Sequence, residues 1–205
     1  MGKSWRVPKI WPKSKVFVLG GGPSLLTVLD GREIRNHRVI GVNNCYELGD
    51  WVDVAWFGDS KWFQWYHKEF AFFSGLKVTC NQKFVAEPKK NIKALDRGKP
   101  QGLETNPRKV SWNRSSGGSA VNLATLLGGE RIVLVGFDMR LIDGVKNWKP
   151  HPRERTKPNP FVRFSEPFEK IMIDAKKLGI EIVNATPKSG IKKWVPEVNL
   201  GKELR

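Results

Sequence analysis

Short, unbroken apolar runs that stop abruptly at glycine or polar residues are the strongest constraint on this chain. Val16-Phe17-Val18-Leu19 stops at Gly20-Gly21-Gly22, and Ile132-Val133-Leu134-Val135 stops at Gly136-Phe137-Asp138. A strand with one wet face alternates apolar and polar residues. A strand apolar at every position is covered on both faces, as in a parallel sheet sandwiched by helices. Arg38–Val42 ends at Asn43-Asn44, Val52–Phe57 ends at Gly58-Asp59-Ser60, and Leu76–Thr79 and Ile180–Val183 complete the strands. Helical patterns fall between them: Ser24–Leu29 after Pro23, Ser60–Phe73, Ser119–Leu127 opened by Ser115-Ser116-Gly117-Gly118, and Ser165–Leu178 before Gly179. This alternation predicts an α/β, Rossmann-like fold: a mostly parallel sheet with helices on both faces, in a single domain.

A length of 205 residues suits one such domain. Residues 1–14 read as a basic N-terminal arm, 15–195 as the Rossmann-like domain and 196–205 as a C-terminal tail. Residues 81–112 hold Pro88, Pro100 and Pro107 and read as strand fragments and loops, and Ile191–Val195 reads as a short edge element. Residues 140–163 are basic and carry Pro150, Pro152, Pro158 and Pro160, so no long helix runs through them and a lid-like loop is expected. With 40% hydrophobic residues the chain can build a real core, which excludes a disordered protein. No apolar run reaches the roughly 18 residues of a membrane span, and the N-terminus lacks the apolar stretch of a secretory signal, so a cytoplasmic location is expected. Cys45 and Cys80 have no metal-ligand spacing and read as reduced thiols. His37, His67 and His151 form no zinc motif, and no metal is expected.

In open parallel sheets, ligands bind beyond the carboxyl ends of the strands. That rule gathers Gly20, Gly21, Gly22, Pro23, Ser24, Asn43, Asn44, Asp59 and Asp138 into one candidate site. A glycine turn leading into a helix offers close approach and N–H groups to a phosphate, or is simply a tight turn. On the first reading, Gly22→Val removes nucleotide binding and leaves the fold intact. Ser115, Ser116 and Gly117 form a second helix start of the same kind, or an ordinary N-cap. Asn43 and Asn44 suit ribose or base edges, or form an asparagine turn. Asp138 is the favoured catalytic carboxylate, and His151 is the one histidine placed to join it. The aromatic residues of Ser60–Phe73 read as core rather than as a stacking platform. Lys+Arg 36 against Asp+Glu 20, a net +16, points to a phosphate-bearing small molecule, and also to weak, sequence-independent binding of nucleic acid.

Several of these motifs together resemble a known group. An apolar strand before Gly20-Gly21-Gly22-Pro23-Ser24-Leu25, a strand ending in Asn43, Ser115-Ser116-Gly117 before a helix, and Gly129-Glu130-Arg131-Ile132-Val133-Leu134-Val135-Gly136-Phe137-Asp138 look like the bacterial lipooligosaccharide sialyltransferases. They are also similar to 6-hydroxymethylpterin diphosphokinase-like proteins and to small phage-encoded proteins labelled morphogenetic. The resemblance runs from about Val16 to Asn184. It implies a nucleotide-dependent transferase, foremost a glycosyltransferase taking a nucleotide-sugar donor with a cytidine nucleotide. Gly20, Gly22, Pro23, Ser24 and Asn43 would then meet phosphate and ribose, with Ser115, Ser116 and Gly117 by the base or phosphate. The family carries a general-base histidine just before the helix matching Ser165–Leu178, where this chain has Phe161-Val162-Arg163-Phe164. Proton transfer would therefore fall to Asp138 or His151. The alternatives are a phage-type accessory protein binding nucleic acid or a virion partner, with a vestigial site, and a diphosphokinase-like enzyme.

Overall fold

The computed structural model describes residues 4–29, 34–89, 91–150 and 159–205. Seven parallel strands form the main sheet: β1 (Ser14–Leu19), β2 (Arg38–Val42), β3 (Val54–Phe57), β4 (Leu76–Thr79), β5 (Lys93–Ala94), β8 (Gly129–Val135) and β9 (Glu181–Asn184). Two shorter strands, β6 (Asp96–Arg97) and β7 (Lys109–Val110), pair separately. The helices are α1 (Leu25–Leu29), α2 (Ser60–Phe70), α3 (Gln82–Ala86), α4 (Ser116–Leu127), α5 (Phe161–Ser165), α6 (Pro167–Leu178) and α7 (Leu200–Glu203), with a 3-10 turn over Asn43–Leu48. The expected Rossmann-like α/β architecture is what the chain adopts.

The pleat explains why the strands are apolar throughout. Val16 and Val18 of β1 face one side with Ile40, Trp56, Ile132 and Leu134, where α4 and α6 cover them through Leu123, Leu127, Phe168 and Ile171. Phe17 and Leu19 face the other side with Phe57, Val133 and Val135, under Leu25 of α1, Trp62 and Phe70 of α2 and Phe84 of α3. α4 is walled in almost all round, which its apolar composition requires; Ser115 caps its start by accepting from the Gly118 N–H at 3.0 Å, and Gly128 ends it in the left-handed region.

Strand order is β5-β4-β3-β2-β1-β8-β9. The chain leaves β1 for β2 on one side and later returns to place β8 on the other. The carboxyl ends of β2, β1 and β8 therefore diverge into connections running opposite ways, which opens a crevice at this switch point.

Several local expectations change. Ile191–Val195 is a hydrogen-bonded turn, with the Val195 N–H donating to Ile191 O at 3.0 Å, and not an edge strand. The edge beside β9 is met instead by Glu197, bridged to Asn184. The N-terminal arm is tied down at points, with Val7 and Trp11 buried and the Trp5 N–H donating to Ala94 O at 2.8 Å. Among the described residues, no helix is long and apolar enough to cross a membrane.

Candidate functional site

A cleft of about 310 Å³ opens beyond the ends of β2, β1 and β8, within the size range of small-molecule sites. Gly20, Gly21, Gly22, Asn43, Asn44, Asp59, Ser115, Ser116, Gly117 and Asp138 all line it. Sequence residues far apart are thus brought together as the strand-end rule requires. Pro23 and Ser24 are not among the lining residues, and Ser24 instead bonds to Asp138. His151 lies outside the described residues, as do Arg153, Arg155 and Lys157 of the expected lid.

The glycine loop has a different physical reason from the one expected. An ideal Cβ on Gly22 would stand 1.9 Å from Asp138 Oδ2 and 2.5 Å from Gly136 O, and one on Gly20 would stand 2.7 Å from Gly136 O. These glycines let the loop lie flat on the end of β8. Its N–H groups point the same way: Gly20 donates to Val135 O at 2.7 Å, Gly22 to Gly136 O at 2.9 Å and Ser24 to Asp138 Oδ2 at 3.2 Å. Pro23 has no N–H, so Gly21 alone is not consumed by these bonds. The loop is therefore a packed turn offering one donor rather than a nest of several.

Asp138 is only 1% exposed. Its Oδ2 also accepts from the Ser24 hydroxyl at 3.0 Å, while its Oδ1 is buried with no hydrogen-bond partner. The two asparagines separate as well. Asn44 is engaged within the protein, its Oδ1 accepting from the Trp62 indole at 2.8 Å and its Nδ2 donating to Glu47 at 2.8 Å. Asn43 is held at φ 53° and keeps its Oδ1 without a partner. An unpaired buried acceptor costs about 1–3 kcal/mol, so a ligand hydroxyl or amine that met it would gain correspondingly.

The start of α4 is the better anion seat. Ser116 and Gly117 occupy its first turn, where N–H groups lack intrahelical acceptors and the helix dipole is positive. Asn113 and Arg114, immediately before it, are both left-handed, with φ 46° and 53°, and so is Met139 after Asp138, with φ 49°. Non-glycine residues in this region cost of order 1–3 kcal/mol each, and such strain concentrates at functional sites. Of these, Asn43 and Met139 line the cleft.

One group escaped the sequence reading. Trp65 and Tyr66 of α2, with Phe161 and Phe164 of α5, form aromatic walls of the cleft, although Trp62, Phe70 and Phe73 of the same stretch are core as expected. Lys146–Lys149, part of the expected lid-like loop, also lines the cleft, lying across the glycine loop with the Trp148 N–H donating to Gly21 O at 3.0 Å. Cys45 beneath this segment is a buried thiol, pushed up by burial to about 12, and is no nucleophile at neutral pH.

No protein-family model matches the chain, and no curated protein matches it by sequence. Solved structures do match. The sialyltransferase CstII from Campylobacter jejuni, solved in complex with the substrate analogue cytidine-5'-monophosphate, superposes with a TM-score of 0.61 at 17% identity, over 92% of this chain and 87% of that one. The alpha-2,3-sialyltransferase Cst-I from the same organism gives 0.55 at 17% identity, over 98% and 85%. The MAf glycosyltransferase from Magnetospirillum magneticum AMB-1 gives 0.61 at 12% identity over 93% of this chain, which spans only 34% of that protein. At these identities the likeness is one of fold: the chain has the architecture of these glycosyltransferases.

Proposed function

We propose that the chain is a nucleotide-sugar-dependent glycosyltransferase whose donor carries cytidine monophosphate. The observation that carries this reading is the convergence of the first turn of α4, a strained asparagine with an unsatisfied amide oxygen and two aromatic walls on one switch-point cleft. The fold likeness to sialyltransferases solved with cytidine monophosphate supports the choice of nucleotide.

In this reading the donor phosphate sits at Ser116 and Gly117. The helix dipole and the Ser116 hydroxyl stabilise the charge that grows on it as the sugar–phosphate bond breaks. Asn43 receives a ribose hydroxyl. Trp65, Tyr66, Phe161 and Phe164 flank the rings of donor and acceptor. Asp138, sealed beneath the loop, positions Ser24 and the turn. Asp59 is the exposed carboxylate on the cleft wall; one of its oxygens is fixed by the Lys61 N–H at 2.8 Å, and the carboxylate can take the acceptor hydroxyl's proton. His151 remains a second candidate for that proton.

Ser116→Asp tests the anion seat with effects of opposite sign. A carboxylate in the first turn of a helix favours the helix by about 0.3–1 kcal/mol, so the melting temperature without ligand is expected to hold or rise. The same carboxylate repels a phosphate. Cytidine monophosphate at 100 times its Kd, which stabilises a binding protein by about 2.7 kcal/mol, is expected to stabilise wild type and leave the variant unmoved. A wild-type protein indifferent to cytidine nucleotides and their sugars would sink the proposal.

A further inference from the structure

Lys149 is placed to do more than brace a loop. It reaches from the segment lying over the glycine loop to Glu47, in the 3-10 turn after β2, and the two form an ion pair at the cleft wall that Lys149 lines. Glu47 has two distinct oxygens in use: Oε1 accepts from Asn44 Nδ2 at 2.8 Å, and Oε2 faces Lys149. Asn44 in turn holds the Trp62 indole, so Glu47 is fixed to α2 through Asn44. On the other side, Trp148 anchors the segment to Gly21. The side chains of both ion-pair members are solvent-accessible, at 43% for Lys149 and 24% for Glu47, and a pair so exposed is weakly held.

We infer that Lys149 is an exchangeable cation, held by Glu47 in the empty protein and taken over by the anionic group of the ligand. This rests on the cytidine-nucleotide reading and adds to it a residue that recognises the phosphate and a carboxylate that competes for that residue. The phosphate monoester of cytidine monophosphate carries more charge than one carboxylate, and an ammonium on a flexible stem can swing between them without moving the backbone. Glu47 then acts as an internal rival of the ligand, and Lys149 makes affinity depend on the ligand's charge.

The test measures binding of cytidine monophosphate and of uncharged cytidine to the full chain by calorimetry. Glu47→Gln keeps the acceptor for Asn44 and releases Lys149; it is expected to tighten the nucleotide about fivefold or more and leave cytidine unchanged. Lys149→Met is expected to weaken the nucleotide by about the same factor, again sparing cytidine. A merely structural ion pair predicts the same sign for both substitutions, on both ligands. If both variants weaken the nucleotide, or if Glu47→Gln leaves it unchanged while wild type binds it, the exchange is refuted and the cytidine reading stands. Wild type binding neither ligand would refute both.

Discussion

Gly22→Val is expected to cost this protein its fold stability as well as its ligand. The added Cβ would stand 1.9 Å from Asp138 Oδ2 and 2.5 Å from Gly136 O, one a buried carboxylate pinned by Ser24 and the other a backbone carbonyl. Neither can move cheaply. Overpacking of this kind costs about 1–3 kcal/mol, and two such clashes on one branched side chain place the variant at or above the top of that range. For a domain of this size that is a fall of roughly 6–12 °C in melting temperature. Gly21→Ala is the informative companion. Its Cβ would meet only Asn147 Oδ1, at 3.6 Å, an ordinary contact, so stability is expected to change by about 0.5 kcal/mol or less. If the loop approaches the ligand through Gly21, that variant weakens binding without loss of fold. Thermal unfolding of the two proteins side by side decides the matter, and a Gly22→Val protein as stable as wild type would show that the loop is not packed as described.

The contrast between these neighbouring glycines shows what a sequence can disclose. Strand ends are legible because burial on both faces writes unbroken apolar runs such as Val16–Leu19, and topology then brings Asn43, Ser116 and Asp138 to one crevice. What lies at each position is less legible. Asn43 and Asn44 read alike, yet one is strained and keeps an unpaired amide oxygen while the other is tied to Trp62 and Glu47. Gly21 and Gly22 read alike, yet only Gly22 lies against a carboxylate. Prolines and charge mark residues 140–163 as a loop near the site, but not the contact that seats Lys146–Lys149, because Trp148 reaches Gly21 through main-chain atoms, which leave no mark on residue type. α3, α5 and α7, at five, five and four residues, are too short to show a 3.6-residue period.

The tail supplies the second large effect. Glu203 of α7 has a side chain only 8% exposed and meets Arg131 of β8 in a two-pronged pair, Nε to Oε2 at 2.8 Å and Nη2 to Oε1 at 2.7 Å; Lys15 of β1 lies close by. A forked guanidinium–carboxylate pair joins charge to geometry, and here it fastens α7 to β8, with Lys15 adding a tie to β1. Removing one partner of a fully buried pair costs about 3–5 kcal/mol. Because Arg131 is partly exposed and keeps Glu181, Glu203→Ala is expected to cost about 2 kcal/mol. The hydrogen bonds from Arg131 hold the Glu203 carboxyl below its ordinary range, against the opposing effect of burial. A depressed folded value means that the unfolded chain binds the proton more readily. The contribution is therefore complete above the unfolded glutamate value of about 4.3 and disappears as pH falls through the lower folded value. Asp174 is also held low, since its bonds from Lys170 and the Leu103 N–H outweigh the upward effect of burial, so wild type loses stability in acid from more than one group. Urea midpoints of wild type and Glu203→Gln, measured from pH 7 down to about 3, isolate the Glu203 share. The two curves are expected to lie apart at neutral pH and converge in acid, and parallel curves would remove the Arg131–Glu203 pair as the anchor of the tail.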